Sequence, residues 1–406
     1  MREDGVLPTA SAVSAPVRQR GAWRSAAPAI AVAAWGGNHF SPLLLMYREF
    51  VGYTDVQVTL FFACYILGLI PGFLIAGPIS DTHGRKGPVT AALAFGVAGS
   101  FVLGLGDSDQ VAMCAGRLLS GVSVAVAMVA GTSWITELSQ HDADAPARAR
   151  RASLTMTAGF GLGAGVSGAL AQWGPAPTVL PYAVHIVLAV AAAVPLSRTP
   201  ETLVGRHATI SPPIGRRIPA AVGRRFLTTV APMAPWVFSA SALAFVVGPA
   251  LVAERVGGFR VGFAALAAVV TLTAGAAVQP LVPWIARHTR GRQAKAGLLT
   301  AAAATAVLIA GRQPSLVLVA AVLFGIAYGI CLVSGLVEVQ AMADPRSRAA
   351  LTGVYYSLTY LGFALPLVLA GLAHVASYTC LLTGVTAAVI ACAVIVPRSP
   401  GAARRR

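Results

Sequence analysis

Apolar stretches close to twenty residues long recur from end to end of the chain, each closed by a short polar or Gly/Pro-containing connection. They lie at about 26–47, 56–77, 88–106, 111–137, 153–173, 179–197, 228–251, 259–285, 295–311, 315–337, 348–372 and 377–396. A run of roughly 20 apolar residues is the length that crosses a bilayer core as a helix. In lipid every backbone N–H and C=O must be paired within the span, so helices are the default, and the alternation of a β-barrel is absent. The pattern predicts an all-α membrane protein with twelve transmembrane helices. An even number of spans puts both ends of the chain on one side.

The longest polar connection, "SRTPETLVGRHATISPPIGRRIPAAVGRRF" at 198–227, divides the spans six and six. It reads as a cytoplasmic linker between an N-terminal six-helix bundle at 26–197 and a C-terminal one at 228–396. Residues 1–25 carry arginines but no apolar h-region, the composition of a disordered cytoplasmic tail and not of a cleaved signal peptide. Residues 397–406 form a basic tail. The ends of spans 2 and 8, "GPISDTHGRKG" and "QPLVPWIARHTRGRQ", are weakly alike, which fits duplication, although the second copy lacks the acid.

Composition agrees with the pattern: 56% of residues are hydrophobic and 11% charged, against roughly 25% charged in soluble domains. A net charge of +16 would suggest nucleic acid on a soluble protein. Here it is a topology signal. Of the 30 lysines and arginines, only Arg48, Arg255, Arg260 and Arg312 fall in the odd-numbered connections, and Arg117 lies within a span. By the positive-inside rule both termini are cytoplasmic, and the expected location is the plasma membrane. Cys64, Cys114, Cys331, Cys380 and Cys392 all lie in apolar runs without metal-ligand spacing, so they read as small core residues. No metal, cofactor or nucleic-acid partner is expected, and no phosphate-binding loop is present. The expected partners are the lipid bilayer, a small-molecule substrate and a coupling proton, with the chain working as a monomer.

The stretch "GPISDTHGRKG" at 77–87 concentrates charge between two nearly charge-free spans. Arg85 and Lys86 suit an inside connection, Gly84 can supply a positive-φ turn, and Gly77 can admit a neighbouring helix. Asp81 is not explained by topology, because an acid at a membrane edge costs free energy unless paired. Gly77, Asp81, Gly84, Arg85 and Lys86 resemble, in order and spacing, the signature after span 2 of the major facilitator superfamily. Arg117 and Gly121 in "RLLSGVSVA" are similar to that family's intramembrane Arg-x-x-x-Gly pattern. Gly159, Gly163 and Gly168 in "GFGLGAGVSG" resemble the span-5 signature of its drug–proton antiporter branch, with Ala164 where that signature has Pro and Ser167 where it has Gly. "PET" at 200–202 also resembles the family, and "WGGNHFSPLLLMYRE" in span 1 resembles its actinobacterial members. The resemblance covers residues 26–396. It implies two pseudo-symmetric six-helix halves built from inverted repeats, a central site lined by spans 1, 4, 7 and 10, and alternating access. It implies that Asp81 and its loop latch the halves when the cytoplasmic side closes. The residues themselves supply a way: the span-11 N-terminus near Ser347 to Ala350 offers unpaired N–H groups that Asp81 can cap, with Arg85 holding Asp81 and reaching Glu137.

Within the spans, Arg117 is the one deep fixed charge, so it is expected to face the interior. His39 lies about 12 Å below the outer end of its helix and Arg117 about 9 Å below its own. The two are therefore expected at similar depth, with His39, which titrates near neutral pH, as a proton carrier and Asn38 beside it. Trp236, Ser239 and Ser241 in span 7 and Tyr328 in span 10 are candidate cavity residues. Gly159, Gly163 and Gly168 form a helix-packing hinge. Pro42, Pro71, Pro249 and Pro366 are expected to interrupt their spans, His185 to serve packing, and Glu338 to act in gating or be solvated. The function these features support is secondary active transport, as proton-coupled efflux of small hydrophobic or amphipathic compounds. A metabolite uptake permease is the alternative, with Arg117 and His39 binding a carboxylate. A membrane enzyme using Ser133, or a non-transporting receptor, ranks lower. The chain is not expected to be an enzyme.

Overall fold

A computed structural model describes residues 21–106, 108–141, 143–202, 220–342 and 348–398, and among these it contains helices and no strand. Most of both expected tails, residues 203–219 of the linker, and Ser347 lie outside the described residues.

Eleven helices are long and apolar enough to cross a membrane among the described residues. We number them with the first span as α1 (Trp23–Asn38), α2 (Asp55–His83), α3 (Lys86–Leu105), α4 (Gln110–Leu138), α5 (Ala145–Trp173), α6 (Leu180–Ser197), α7 (Gly223–Leu251), α8 (Gly257–His288), α9 (Gln293–Ala310), α10 (Pro314–Met342), α11 (Leu351–Leu372) and α12 (Tyr378–Ile395). The first span falls short as a single helix because Pro42 breaks it. It continues as a 3-10 turn at Ser41–Leu43 and short helical pieces to Val51. Pro249 follows a π turn at Leu243–Val247, and Pro366 follows a 3-10 turn at Gly362–Ala364. Pro71, by contrast, sits inside an unbroken α2. A proline relaxes its helix only where the carbonyl it frees finds another register or partner.

Two helices outrun their apolar sequence. The residues expected as a loop at 78–83 are the last turns of α2, and α5 begins at Ala145 instead of 153, with the Asp144 side chain accepting from Ala147 N at its N-cap. Hydropathy measures the hydrocarbon crossed, whereas a capped helix extends into the headgroup region on hydrogen bonding alone. Asp81 is therefore a helical residue. α2 ends at Gly84, whose φ of 89° and ψ of 177° belong to a region open essentially to glycine.

Helices α1–α6 pack among themselves, with α2 and α3 on α4, α5 on α1, and α3 on α6. In the second half α8, α9 and α7 pack on α10, α9 on α12, and α7 on α11. The halves meet where α5 lies against α8 and α2 against α11. Small residues set the closest crossings. A Cβ on Gly159 would overlap the carbonyl of Ala31, one on Gly163 would lie 2.6 Å from that of Trp35, and one on Gly168 would overlap Ala265 of α8. The α2–α4 crossing sits at Gly68, Gly72 and Gly121. Gly77 is not part of it: a Cβ there would find its nearest neighbour, Val129, at an ordinary 3.8 Å.

Two faces of the bundle differ in charge. The basic face carries the α2–α3, α4–α5 and α8–α9 connections, with Arg85, Lys86, Arg148, Arg150, Arg151, Arg287 and Lys295. The opposite face is balanced, with Glu49, Asp55, Asp109 and Glu254 beside Arg48, Arg255, Arg260 and Arg312. At the opposite face the halves are tied by an Arg260–Glu49 ion pair, by Gln172 donating to Gly258 O (2.6 Å) and by Gly262 N donating to Gln172 (2.8 Å). Among the described residues, no hydrogen bond or ion pair joins the halves at the basic face. An apolar groove of about 880 Å³ runs along α5 and α8, from Leu154 past Gly161 and Thr273 to Trp173. The structure is closed at the opposite face.

Candidate functional site

Arg117 is set in place by backbone contact. With no side chain at Gly121 or Gly68, α4 and α2 touch backbone to backbone, and the Tyr65 ring comes over the Arg117 guanidinium, 4.6 Å from the ring centre. Phe40 covers it from α1 at 4.7 Å. The side chain is 0% exposed, and its Nε, Nη1 and Nη2 have no hydrogen-bond partner among the described residues. Each desolvated cation–π contact is worth about 2 kcal/mol. Burying an unpaired ion costs several kcal/mol, so two rings offset much of that cost while leaving the five N–H donors free.

Around Arg117 runs a chain of aromatic and polar side chains. Phe40 stacks on Tyr47, and the Tyr47 and Tyr182 hydroxyls share a hydrogen bond of 2.7 Å. Tyr182 meets His39 edge-on at 5.0 Å between centroids, and His39 meets His185 at 5.2 Å. His39 is fully buried with neither ring nitrogen bonded among the described residues, whereas His185 is saturated. Its Nε2 donates to Val32 O (3.0 Å), and its Nδ1 accepts from Ser100 Oγ (2.7 Å). His185 is more than packing: it pins α6 to α1 and α3 as a neutral ring. Ser133 spends its hydroxyl on Val129 O, so no nucleophile–base pair exists between it and His185.

Arg117 also borders a central cavity of about 30 Å³ between the halves, with Asn38 and Tyr65 on one side and Phe238, Ser241, Tyr328 and Tyr360 on the other. That volume is roughly one water's share of the liquid. Asn38 donates to Phe160 O (3.2 Å) and accepts from Ser41 Oγ (2.7 Å). Ser239, expected at the cavity, lies behind it: its hydroxyl donates to Pro235 O and Gly362 O. Ser241, two residues on, lines the cavity and is unbonded among the described residues. Trp236 packs against the core away from the cavity. Tyr360, Phe238 and Phe363 form a ring cluster, with Phe238 and Tyr360 4.1 Å apart. Tyr360 also donates to the Met128 sulfur across the halves (3.1 Å), at the π turn Ala127–Gly131 of α4. Local sequence does not distinguish Ser239 from Ser241, because the helical face that points inward depends on the π turn that follows them.

At the basic face, Arg85 lies between two acids. Its Nη1 donates to Asp81 (2.6 Å) and Ser80 (2.7 Å), and its Nε and Nη2 fork onto Glu137 (3.1 and 3.0 Å). Burial alone would lower the Arg85 pKa, but its bonds to Glu137 and Asp81 more than offset this and raise it. Glu201, part of "PET", accepts from Arg85 N (3.0 Å) and Lys86 N (2.9 Å), capping α3, and Thr202 Oγ1 donates to Glu137 (2.5 Å). Lys86 reaches Ser197 O. The sequence marked "PET" only by resemblance; its carboxylate against an open helix N-terminus was the missing physical signal. Glu338, expected to be in gating or solvated, is 4% exposed and paired with Arg225 (3.1 Å). The Cys64 and Cys114 sulfurs are 2.7 Å apart on α2 and α4. Among the described residues no cluster of metal-ligating side chains occurs.

The family model of the Major Facilitator Superfamily matches residues 26–366. The chain belongs to the Major Facilitator Superfamily. Solved structures of this fold align over nearly the whole chain. A mutant form of the nucleoside transporter NupG is 12% identical, with a TM-score of 0.75 over 92% of this chain and 97% of that one. A POT family transporter in complex with 5-aminolevulinic acid is 11% identical, with a TM-score of 0.73 over 94% and 96%. The human organic anion transporter MFSD10 is 16% identical, with a TM-score of 0.65 over 93% and 100%. No curated sequence matches the chain. This superfamily member is a multi-pass membrane transporter of a small-molecule substrate, and not an enzyme.

Proposed function

We propose that this transporter is a proton-coupled exporter of small amphipathic compounds, resembling the drug–proton antiporter branch. It sits in the plasma membrane with its basic face in the cytoplasm and works as a monomer by alternating access. The observation that carries the reading is the asymmetry of the interface between the halves. Polar ties close the opposite face, while the Arg117 cavity lies at the centre and the basic face lacks such ties among the described residues. With the basic face inside, the outer face is the one held by polar ties, the central cavity is narrow, and toward the inside the halves touch through Phe73 and Tyr356.

In the proposed cycle, substrate enters from the cytoplasmic side and occupies the space between Asn38, Arg117 and Tyr328. The halves rock about the α5–α8 and α2–α11 contacts; Gly168 permits close passage of α8, while Gly159 and Gly163 hold α5 against α1. Asp81, Gly84, Arg85, Lys86 and Glu137 hold the α2–α3 turn rigid so that it can act as a latch. His39 carries the proton, because both its nitrogens are unbonded among the described residues, next to the Arg117 cluster. The test is substrate movement in everted vesicles under an imposed proton gradient. Accumulation driven by an acidic interior supports export; accumulation in right-side-out vesicles driven by an acidic exterior replaces it with proton-coupled uptake.

A further inference from the structure

Two features of the central site are not used by a general transport cycle. The first is that Arg117 is fully buried, lines the cavity and has three nitrogens with no partner among the described residues. The second is the placement of acids. Among the described residues, the acids that form ion pairs sit at the ends of the spans and are taken: Glu49 by Arg260, Asp55 by Arg48, Asp81 and Glu137 by Arg85, and Glu338 by Arg225. None of the side chains bordering the cavity is a carboxylate. The fork therefore faces a chamber whose walls offer rings, hydroxyls and one amide.

We propose that the substrate is an organic anion with a single planar carboxylate on an aromatic or flat apolar body. This rests on the transport reading above and narrows its substrate class. The carboxylate lies on the edge of the Arg117 guanidinium, whose carbon sits 4.7 Å from the Phe40 ring centre and 4.6 Å from that of Tyr65 while its three nitrogens have no partner among the described residues, so it accepts two parallel N–H bonds from the fork. The body extends from Arg117 toward the second half and stacks on Phe238, Tyr360 and Phe363, where offset and edge-on ring contacts are favoured. One negative charge neutralises the one fixed positive charge of the interior. A cationic compound meets Arg117 with no acid to compensate, and a neutral one leaves the guanidinium unpaired. Binding links an α4 residue to α7 and α11 rings, so the ligand itself joins the halves.

The experiment uses the full-length protein in lipid nanodiscs and three probes of one shape: 1-naphthoate, 1-naphthalenemethanol and 1-naphthylmethylammonium. Binding is read by thermal shift and intrinsic tryptophan quenching. The expected order is naphthoate tightest by tenfold or more, the alcohol weaker and the ammonium weakest. Arg117→Gln should lose at least tenfold for naphthoate and leave the alcohol unchanged. Arg117→Lys should recover only part, since Lys lacks the fork. Acetate separates the two elements of the proposal: if it competes as well as naphthoate, the ring cluster plays no part and the aromatic body is refuted. The wild-type order alone decides the matter if the variants fail to fold. No naphthoate binding, or ammonium binding as tight as naphthoate, overturns the proposal. Naphthoate binding without movement across proteoliposomes would sink the transport reading instead and leave the anion site standing.

Discussion

Arg85, half-buried, and Arg117, fully buried, are both arginines of the first half, and they are built in opposite ways. Arg85 has every side of its fork occupied by Asp81, Ser80 and Glu137, at the basic end of the bundle. Arg117 lies over the rings of Phe40 and Tyr65 and, among the described residues, its nitrogens have no hydrogen-bond partner. A saturated guanidinium fixes geometry, because breaking it leaves acids unpaired. An unsaturated one in a low-dielectric interior is held ready for a partner that comes and goes. In the proposed cycle the first belongs to a latch that stays rigid and the second to a site that changes occupancy.

The largest effect should come from breaking the unsaturated side. Arg117→Ala is expected to abolish transport while membrane insertion and monodispersity persist, checked by proteoliposome flux beside size-exclusion profiles. Full activity in Arg117→Ala would make the residue structural only.

Gly84→Ala attacks the saturated side through the backbone. Its φ of 89° disfavours any Cβ, and that Cβ would stand 2.5 Å from the Glu201 carboxylate. Such strain costs about 1–3 kcal/mol, so folded yield or the half-unfolding temperature should fall clearly, and Glu201→Gln combined with it should not worsen the loss in proportion.

Asp81→Asn removes one acid from Arg85 while the Glu137 fork remains. Expression should be unaffected. Turnover should fall roughly tenfold, the effect of about 1.4 kcal/mol, if Asp81 also caps the α11 N-terminus in the outward-facing state. A cysteine at 81 paired with one at 350 should then crosslink in a substrate-dependent way. Unchanged turnover with crosslinking that ignores substrate would reduce the stretch to a topology signal.

His39→Gln should leave binding within severalfold and flatten the pH profile of transport across about pH 5.5–8.5, the range in which His titrates. A retained profile moves the proton carrier elsewhere. The smallest effect is expected at the opposite face. The Arg260–Glu49 pair is about one-third exposed on each side chain, and such pairs are worth about 0–1 kcal/mol. Glu49→Gln should raise accessibility of a cysteine placed at that face by about fivefold at most, the effect of that energy, and added salt should mimic it.

Much of the fold was legible in the chain because lipid permits so few backbone solutions: the apolar stretches located the spans, and Gly84 was marked as a positive-φ turn. The ends of α2 and α5 were misjudged because caps, and not hydropathy, decide where a helix stops. The Arg85–Asp81–Glu137 set could be anticipated from a motif, but Glu201 could not, because its partner N–H groups lie more than a hundred residues away. Gly77 and Ser239 were chosen for residue type, and type does not say which face of a helix is in contact.

The sequence by itself determined an all-helical membrane chain, its charge asymmetry, and one arginine too deep to be a topology signal. These follow from local composition against a solvent that penalises unpaired backbone and buried charge. Only the tertiary structure decided that Phe40 and Tyr65 cover Arg117, that His185 is saturated while His39 is not, and that Ser241 lines the cavity. Each depends on how closely two helices cross and how one is rotated about its axis, and those quantities are set by glycines and π turns on several spans acting together.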